Sequence, residues 1–194
     1  MDNELELTDR CKRGEVTAFK EVYDEYAGSL LAVCLRYVGN QMDAEDILHD
    51  AFLKIFRSFD KFTYQGKGSL KAWLYRIVIN EALEFLRGLK SGEKDVEDVD
   101  KLDMDIEDES ESEEPDTNDM NSLSQEKLMG FIKELPTGYR TVFNLYVFEN
   151  KSHKEIGELL GITERSSSSQ FSRARRILRT KIMEYLNNSK NEKG

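Results

Sequence analysis

A basic, hydroxyl-rich stretch near the C-terminus holds the residues best suited to binding an anionic partner. Residues 165–176 read RSSSSQFSRARR, and three potential donors lie upstream at residues 151–153. Arginine can read guanine through paired hydrogen bonds in the major groove, while serine hydroxyls bind phosphate or base edges. We therefore expect DNA contacts from Lys151, Ser152, His153, Arg165, Ser166, Ser168, Ser169, Arg173 and Arg176.

The elements around these residues follow the pattern of a helix-turn-helix. Ser152 and Glu155 are spaced as a capping box, Gly161 can end that helix, and Thr163 can cap the next one. Gly157 is small where two helices must cross closely. Two helices joined by so short a turn are typical of this DNA-binding motif. A plain helical hairpin is the alternative, and the basic outward face favours DNA binding over it.

The charge of the chain is distributed unevenly. The 194 residues have a formal net charge of -10, which taken alone argues against a nucleic-acid partner. Residues 91–121, however, hold 15 acidic and 2 basic side chains, whereas residues 122–194 hold 13 basic and 8 acidic ones. The acidity therefore belongs to a central segment, and the C-terminal third is basic.

The sequence offers little support for an enzyme or a membrane protein. It has no apolar run long enough to span a bilayer, and its acidic start is unlike a signal peptide, so we expect a cytoplasmic protein without direct membrane insertion. Two cysteines and two histidines cannot supply a usual structural zinc site. We expect no catalytic residues, no metal and no cofactor.

The N-terminal block has the periodicity of packed helices. Helices are predicted from a cap at Thr17 to Gly39, from about Asp43, and from Ser69 to about Arg87. In the third helix, Arg76, Asn80, Glu84 and Arg87 share one side, with Lys71 and Tyr75 on a neighbouring stripe. Trp73 is surrounded by apolar residues at helical spacing, which favours a core position over a role as a base wedge.

The fold class that follows is all-α, with two small helical domains joined by an acidic flexible linker. We place the domains at 1–90 and 122–194, with the linker at 91–121. The linker is too charged to form its own core. Its scattered apolar residues also allow it to dock in a basic channel or on a partner, and both interpretations remain open.

The ordered motifs resemble the extracytoplasmic-function (ECF) branch of bacterial sigma factors. The resemblance rests on AEDI at residues 44–47, WLYRIVIN at residues 73–80, the acidic linker, and a helix-turn-helix that ends in SRAR at residues 172–175. It implies a non-catalytic initiation subunit that binds bacterial core RNA polymerase and promoter DNA, and it implies an anti-sigma factor as a further partner. A stand-alone helix-turn-helix transcriptional regulator is the alternative.

The resemblance also implies roles for particular residues. The helix that begins at the AEDI motif is expected to dock on the polymerase through Glu45, Asp46, Ile47, His49, Asp50, Phe52 and Leu53. The helix of Trp73 is expected to recognise and help open the minus-ten element through Lys71, Tyr75, Arg76, Asn80 and Arg87. Residues 61–68 correspond to the pocket for a flipped base, and the helix-turn-helix is expected to bind the minus-thirty-five element.

The chain also departs from the family pattern. Glu84 stands where the family often has Asp, and a serine run at residues 166–169 replaces the commoner mixed pattern. Because Ser167 occupies a position that is usually apolar, we expect the recognition helix to pack less firmly.

Overall fold

A computed structural model describes residues 3–92 and 123–191, with side chains for residues 3–89 and 123–188. The described residues form α-helices joined by short turns, and they divide into two compact units, Met1–Ser91 and Gly92–Gly194. The predicted all-α class is confirmed. Apart from its first two positions, the predicted linker lies outside the described residues.

The described residues of the first unit form four α-helices. They are α1 (Asn3–Lys12), α2 (Val16–Val38), α3 (Gln41–Ser58) and α4 (Ser69–Gly92), with a 3₁₀ turn at Phe59–Lys61. The Thr17 cap is wrong, because α2 already starts at Val16 with Glu15 as its N-cap residue. Gly39 ends α2 as predicted, in the left-handed conformation with φ of 81°. Helix α3 starts at Gln41, two residues before the predicted start at Asp43. The reason is that the Asn40 side chain caps it by accepting the Asp43 N–H at 2.9 Å.

The core of this unit is built from one side of each helix. Leu30, Ile55, Leu74 and Val78 are completely buried. Trp73 is half-buried, with its ring 5.2 Å from the ring of Phe59 and 5.0 Å from that of Phe62. The predicted core position of Trp73 therefore agrees with the structure.

The first helix is held to the rest of the unit by charge as well as by burial. The Arg10 guanidinium pairs with Glu15 at 3.0 Å and with Glu21 at 2.8 Å, which fixes α1 against α2. Hydrogen bonds from Arg10 lower the pKa of both carboxyls. Leu7 and Cys11 of α1 are buried.

The second unit contains α5 (Gln125–Lys133), α6 (Thr137–Val147), α7 (His153–Leu160) and α8 (Glu164–Asn191). Ala174, Leu178 and Ile182 of α8 are buried against residues of α5 and α6. No helix within 3–92 or 123–191 is long and apolar enough to cross a membrane.

The turn between α7 and α8 requires glycine at two positions. Gly161 ends α7 with φ of 69°, a conformation that favours glycine. A Cβ atom on Gly157 would lie 2.7 Å from the carbonyl oxygen of Ile162, so any side chain there would push the turn away. The helix-turn-helix geometry therefore depends on the absence of a side chain at residue 157.

We expect Gly157→Ala to destabilise the second unit by about 1–3 kcal/mol, because its methyl group would collide with backbone rather than with a flexible side chain. The matched control is Gly130→Ala in α5, where a Cβ would meet nothing within 4 Å. That change should be neutral or stabilising by up to about 1 kcal/mol, because alanine favours a helix. Amide hydrogen exchange across residues 125–188 measures both changes, and equal protection in the two variants would contradict the close approach.

Candidate functional site

The outer side of α3 carries a cluster of acidic side chains. Glu45, Asp46, His49 and Asp50 are all exposed, and Leu53 follows them with 40% of its surface exposed. Residues three and four apart lie next to each other on a helix, so these five residues form one continuous surface. We call them the α3 surface.

Two residues that were expected to dock on the polymerase are buried beside the α3 surface. Ile47 is 3% exposed and Phe52 is 4% exposed. The Phe52 ring packs against Tyr23 at 4.7 Å and Phe56 at 5.5 Å. Both side chains hold α3 on the core, and their expected contact with polymerase stays a prediction.

Met42 is a member of this region that the sequence analysis missed. Its side chain is 72% exposed, and it precedes Asp46 by one helical turn. The spacing of Met42, Asp46, His49 and Leu53 is four, three and four, so apolar residues lie at both ends of the acidic cluster. That spacing is visible in the sequence, but only the structure shows that Met42 is outside the core.

A second polar face lies along α4. Arg76, Asn80, Glu84 and Arg87 are all exposed, as their spacing predicts. On the neighbouring stripe, the Lys71 ammonium lies 5.4 Å from the centroid of the half-buried Tyr75 ring, within the range of a cation–π contact. This arrangement combines cations with an amide and an aromatic ring.

The outer sides of α3 and α4 meet in an open groove of about 530 Å³. Lys54 crosses it by pairing with Glu81 and, at 3.5 Å, with Glu84. Arg57 and Lys61 add two exposed cations. The groove is lined by Asp50, Leu53, Lys54, Arg57, Ser58, Lys61, Ile77, Asn80 and Glu81. It therefore joins residues expected to bind polymerase with a residue expected to bind DNA.

The segment between α3 and α4 is anchored at both ends. Phe62 is buried against Trp73, while Gly66 and Gly68 have φ values of 113° and 89°. The Gln65 N–H donates to the Ser69 hydroxyl at 3.2 Å. Lys61, Thr63, Gln65 and Lys67 are exposed, so the loop offers polar side chains from a fixed backbone.

In the second unit, α8 presents a basic and hydroxyl-rich side. Arg165, Ser169, Ser172 and Arg176 are exposed at spacings of four, three and four, and Ser168 is exposed beside them. We call these five residues the α8 face. The Thr163 hydroxyl accepts the Ser166 N–H at 3.0 Å, so the predicted cap of this helix is confirmed.

His153, which is expected to contact DNA, also joins α7 to α8. Its Nδ1 atom lies 3.0 Å from the hydroxyl of Ser167, which is completely buried. The imidazole also stacks on Tyr146, with ring centroids 4.7 Å apart and planes 17° apart. Ser167 therefore supports the turn through a polar bond, and the expected loosening at this position has a compensating contact.

Other residues of the expected DNA-binding set have partners within the unit. Lys151 pairs with Glu155 at 3.1 Å. The half-buried Ser166 hydroxyl lies 3.3 Å from the side-chain amide of Gln170. Arg173 is half-buried and donates to the Tyr139 hydroxyl at 3.4 Å. These side chains orient the motif, whereas the donors of the α8 face are exposed.

The predicted capping box at the start of α7 is present. The Ser152 hydroxyl accepts the Glu155 N–H, and the Ser152 backbone N–H donates to the Glu155 carboxylate at 2.9 Å. Hydrogen bonds from the Ser152 backbone and hydroxyl, followed by that of Lys151, lower the pKa of Glu155 to about 2. The Ser152 side chain is therefore used to start the helix.

Comparison with known families and proteins gives matches in both units. Residues 22–91 match the Sigma-70 region 2 model, and residues 125–178 match the Sigma-70 region 4 model. The ECF RNA polymerase sigma-E factor of Haemophilus influenzae is 27% identical over 179 residues, which cover 91% of this chain and 93% of that protein. The ECF RNA polymerase sigma factor SigW of Bacillus subtilis is 29% identical over 180 residues, which cover 89% and 93%.

Among solved structures, similarity extends to the sigma factor RpoE of Bartonella quintana in complex with the anti-sigma factor NepR. The identity is 24% and the TM-score is 0.48, with coverage of 87% of this chain and 98% of that one.

The capping box provides a direct test of the α7 geometry. The folded-state pKa of Glu155 lies below the ordinary pKa of a glutamate. The ionised Glu155 carboxylate therefore stabilises the fold at pH values above that ordinary pKa, and this stabilisation is lost as the pH falls towards 2. A carboxyl-carbon NMR titration should give a midpoint near 2 in the unmodified protein. Ser152→Ala should raise that midpoint by removing the hydroxyl donor, and Lys151→Ala should raise it less. A midpoint in the ordinary carboxyl range before any substitution would contradict the capping geometry.

Proposed function

Because this chain belongs to the sigma-70 family as an ECF sigma factor, we propose that three of its surfaces have separate binding roles in promoter-directed transcription initiation. The α3 surface binds polymerase, the exposed side of α4 binds the minus-ten element, and the α8 face binds the minus-thirty-five element. The observation that carries this division is that each of these helices buries one side and leaves a polar, chemically distinct side exposed.

The family assignment decides between the functions that the sequence left open. An ECF sigma factor directs promoter-specific initiation with core RNA polymerase, so polymerase and promoter DNA are the partners of this chain. A stand-alone regulator would not require a sigma-70 region 2, which the first unit matches. The second unit supplies the helix-turn-helix that both functions would use.

The α3 surface has the composition of an anchored, electrostatically guided interface. Its acids attract a basic partner from a distance, whereas Leu53, together with Met42, supplies apolar area that loses water on contact. Buried Ile47 and Phe52 contribute indirectly by fixing the orientation of the helix. We infer that the complementary polymerase surface is basic with an apolar centre.

The side of α4 combines the groups needed to hold an opened strand. Arg76 and Arg87 can contact phosphates, Asn80 can both donate to and accept from a base edge, and Tyr75 offers a ring for stacking. The anchored loop at residues 61–68 is the proposed pocket for an extruded base. Since the groove contains both Leu53 and Asn80, polymerase and the minus-ten DNA would bind close together.

The α8 face is the part of the helix-turn-helix that would enter the major groove. Arg165 and Arg176 are eleven residues apart, about three helical turns, and serine hydroxyls lie between them. Arginine at such a position reads guanine, and serine bonds to phosphates or base edges. His153 and Arg173 would act mainly by keeping α8 in place against α7 and α6.

Further parts of the proposal follow from the family. We propose that the chain acts in the cytoplasm without catalytic chemistry of its own, and that an anti-sigma factor controls it. We retain 1–90 and 122–194 as the two functional domains and 91–121 as the linker between them. The acidic linker would weaken binding of the free protein to DNA by repelling phosphates.

We expect Leu53→Ala to reduce affinity for core polymerase by about tenfold, because it removes the apolar part of the α3 surface. Asp46→Ala should cause a smaller loss that diminishes at high salt, because its contribution is electrostatic. Fluorescence anisotropy with labelled protein and core polymerase measures both. Asp9→Ala, which removes an exposed acid from α1, is the matched control. If all three variants bind equally, α3 is not the polymerase surface.

Arg176→Ala is expected to weaken binding to a minus-thirty-five DNA duplex and to reduce the slope of log affinity against log salt by about 1, as the loss of one phosphate contact would. If Arg176 reads a base instead, affinity should fall by about 1–3 kcal/mol and specificity at one base pair should relax. Lys133→Ala on α5 removes the same charge away from the α8 face and serves as control. If Arg176→Ala and Lys133→Ala have the same affinity and the same salt dependence, Arg176 does not contact the DNA.

A further inference from the structure

The carboxylate of Glu4 in α1 forms the cap of α4. Its Oε2 accepts the Gly68 N–H at 2.7 Å and its Oε1 accepts the Leu70 N–H at 2.7 Å. The Ser69 hydroxyl lies 3.5 Å from the same carboxylate. One side chain therefore bonds to the backbone on both sides of Ser69, although it is more than 60 residues away in the sequence.

These bonds place a negative charge where the start of α4 favours one. The first amides of a helix lack intrahelical acceptors, and the helix dipole makes this end partially positive. Hydrogen bonds to an ionised acceptor are also shorter and stronger than those between neutral groups. Glu4 therefore satisfies amides at the start of the helix that carries Tyr75, Arg76 and Asn80.

The same contact fixes the loop that precedes α4. Gly68 is both a donor to Glu4 and a residue with φ of 89°, so the carboxylate holds the backbone at a position where glycine allows several conformations. Ser69 continues the network by accepting the Gln65 N–H. Together with the buried Phe62, these contacts restrain the loop at both ends.

The helix α1 is itself rigidly attached, which makes it a suitable base for this contact. Leu7 and Cys11 are buried on its inner side, and Arg10 ties its C-terminal end to α2 through Glu15 and Glu21. Glu4 lies outside residues 22–91, the segment that matches Sigma-70 region 2. The contact thus joins a helix outside the matched segment to the proposed minus-ten surface inside it.

We propose that Glu4 is a positioning residue for promoter opening, which holds the loop at residues 61–68 in the shape that receives an extruded base. This inference rests on the proposed role of α4 and its loop. Extruding a base costs a few kcal/mol of unstacking, and a pocket that is already ordered does not add an ordering cost to it. Loss of the carboxylate should therefore affect opening more than it affects polymerase binding.

The first measurement is independent of DNA. Hydrogen exchange in the full chain should be faster at residues 65–70 in Glu4→Ala, with intermediate rates in Glu4→Gln because one acceptor oxygen remains. The α2 and α3 core should keep its protection. Glu6→Ala removes another exposed acid from the same helix and should exchange as the unmodified protein does. Unchanged exchange at residues 65–70 in Glu4→Ala would show that the Glu4 carboxylate does not hold this loop.

The second measurement separates positioning from general stability. With core polymerase, 2-aminopurine in the minus-ten element reports base extrusion, and Glu4→Ala should open a duplex promoter about tenfold less well than Glu6→Ala. On a template with a pre-opened mismatched bubble, the difference between Glu4→Ala and Glu6→Ala should be smaller, because the base pairs are already separated. It should not vanish, because the loop must still hold the extruded base. Equal opening by the two variants would overturn the inference, as would an equal deficit on both templates.

The two proposals can fail separately. If the unmodified chain binds polymerase but its α4 variants, such as Asn80→Ala, open the promoter normally, the minus-ten assignment fails and the Glu4 inference fails with it. If Asn80→Ala impairs opening and Glu4→Ala does not, only the Glu4 inference fails. Binding of core polymerase by each variant is measured in parallel, and a loss there by Glu4→Ala would count against a selective role in opening.

Discussion

The helices α3, α4 and α8 must each bury one side to remain folded, and this requirement decides which side chains can reach a partner. On α3, Ile47 and Phe52 hold the helix on the core and leave the acids and Leu53 outside. On α8, burial of Ala174, Leu178 and Ile182 leaves the Arg165–Arg176 side exposed. Apolar burial is the dominant stabilising term in folding, so the functional surfaces are consequences of the core.

Polar contacts add precision to what apolar burial achieves. In the second unit, the capping box starts α7, the His153–Ser167 contact joins α7 to α8, and Arg173 reaches Tyr139 on α6. Each contact engages a side chain that could otherwise have met DNA. In return, the exposed donors are presented from a helix whose orientation is fixed, and such preorganisation reduces the entropy lost on binding.

Charge has different roles in different parts of the chain. The acids of the α3 surface and the cations of the α8 face are exposed, which suits long-range attraction to partners of opposite charge. Arg10, Lys54 and Glu4, by contrast, are engaged in contacts between elements of the first unit. A net charge of -10 hides these roles, because most of the excess acid lies in residues 91–121.

The helical class, the capping box, the turn at Gly161 and the polar stripes could be predicted from the sequence, because these features depend on residues only a few positions apart. The spacing of Ile47 and Phe52 places both on the apolar side of their helix, but the sequence could not decide between that core role and the polymerase contact that the resemblance implies. Nor could it reveal the contact of Glu4 with Gly68 or that of His153 with Ser167. Both contacts join helices that meet only after packing. The packing of the helices therefore determines which polar side chains support the fold and which are left for partners.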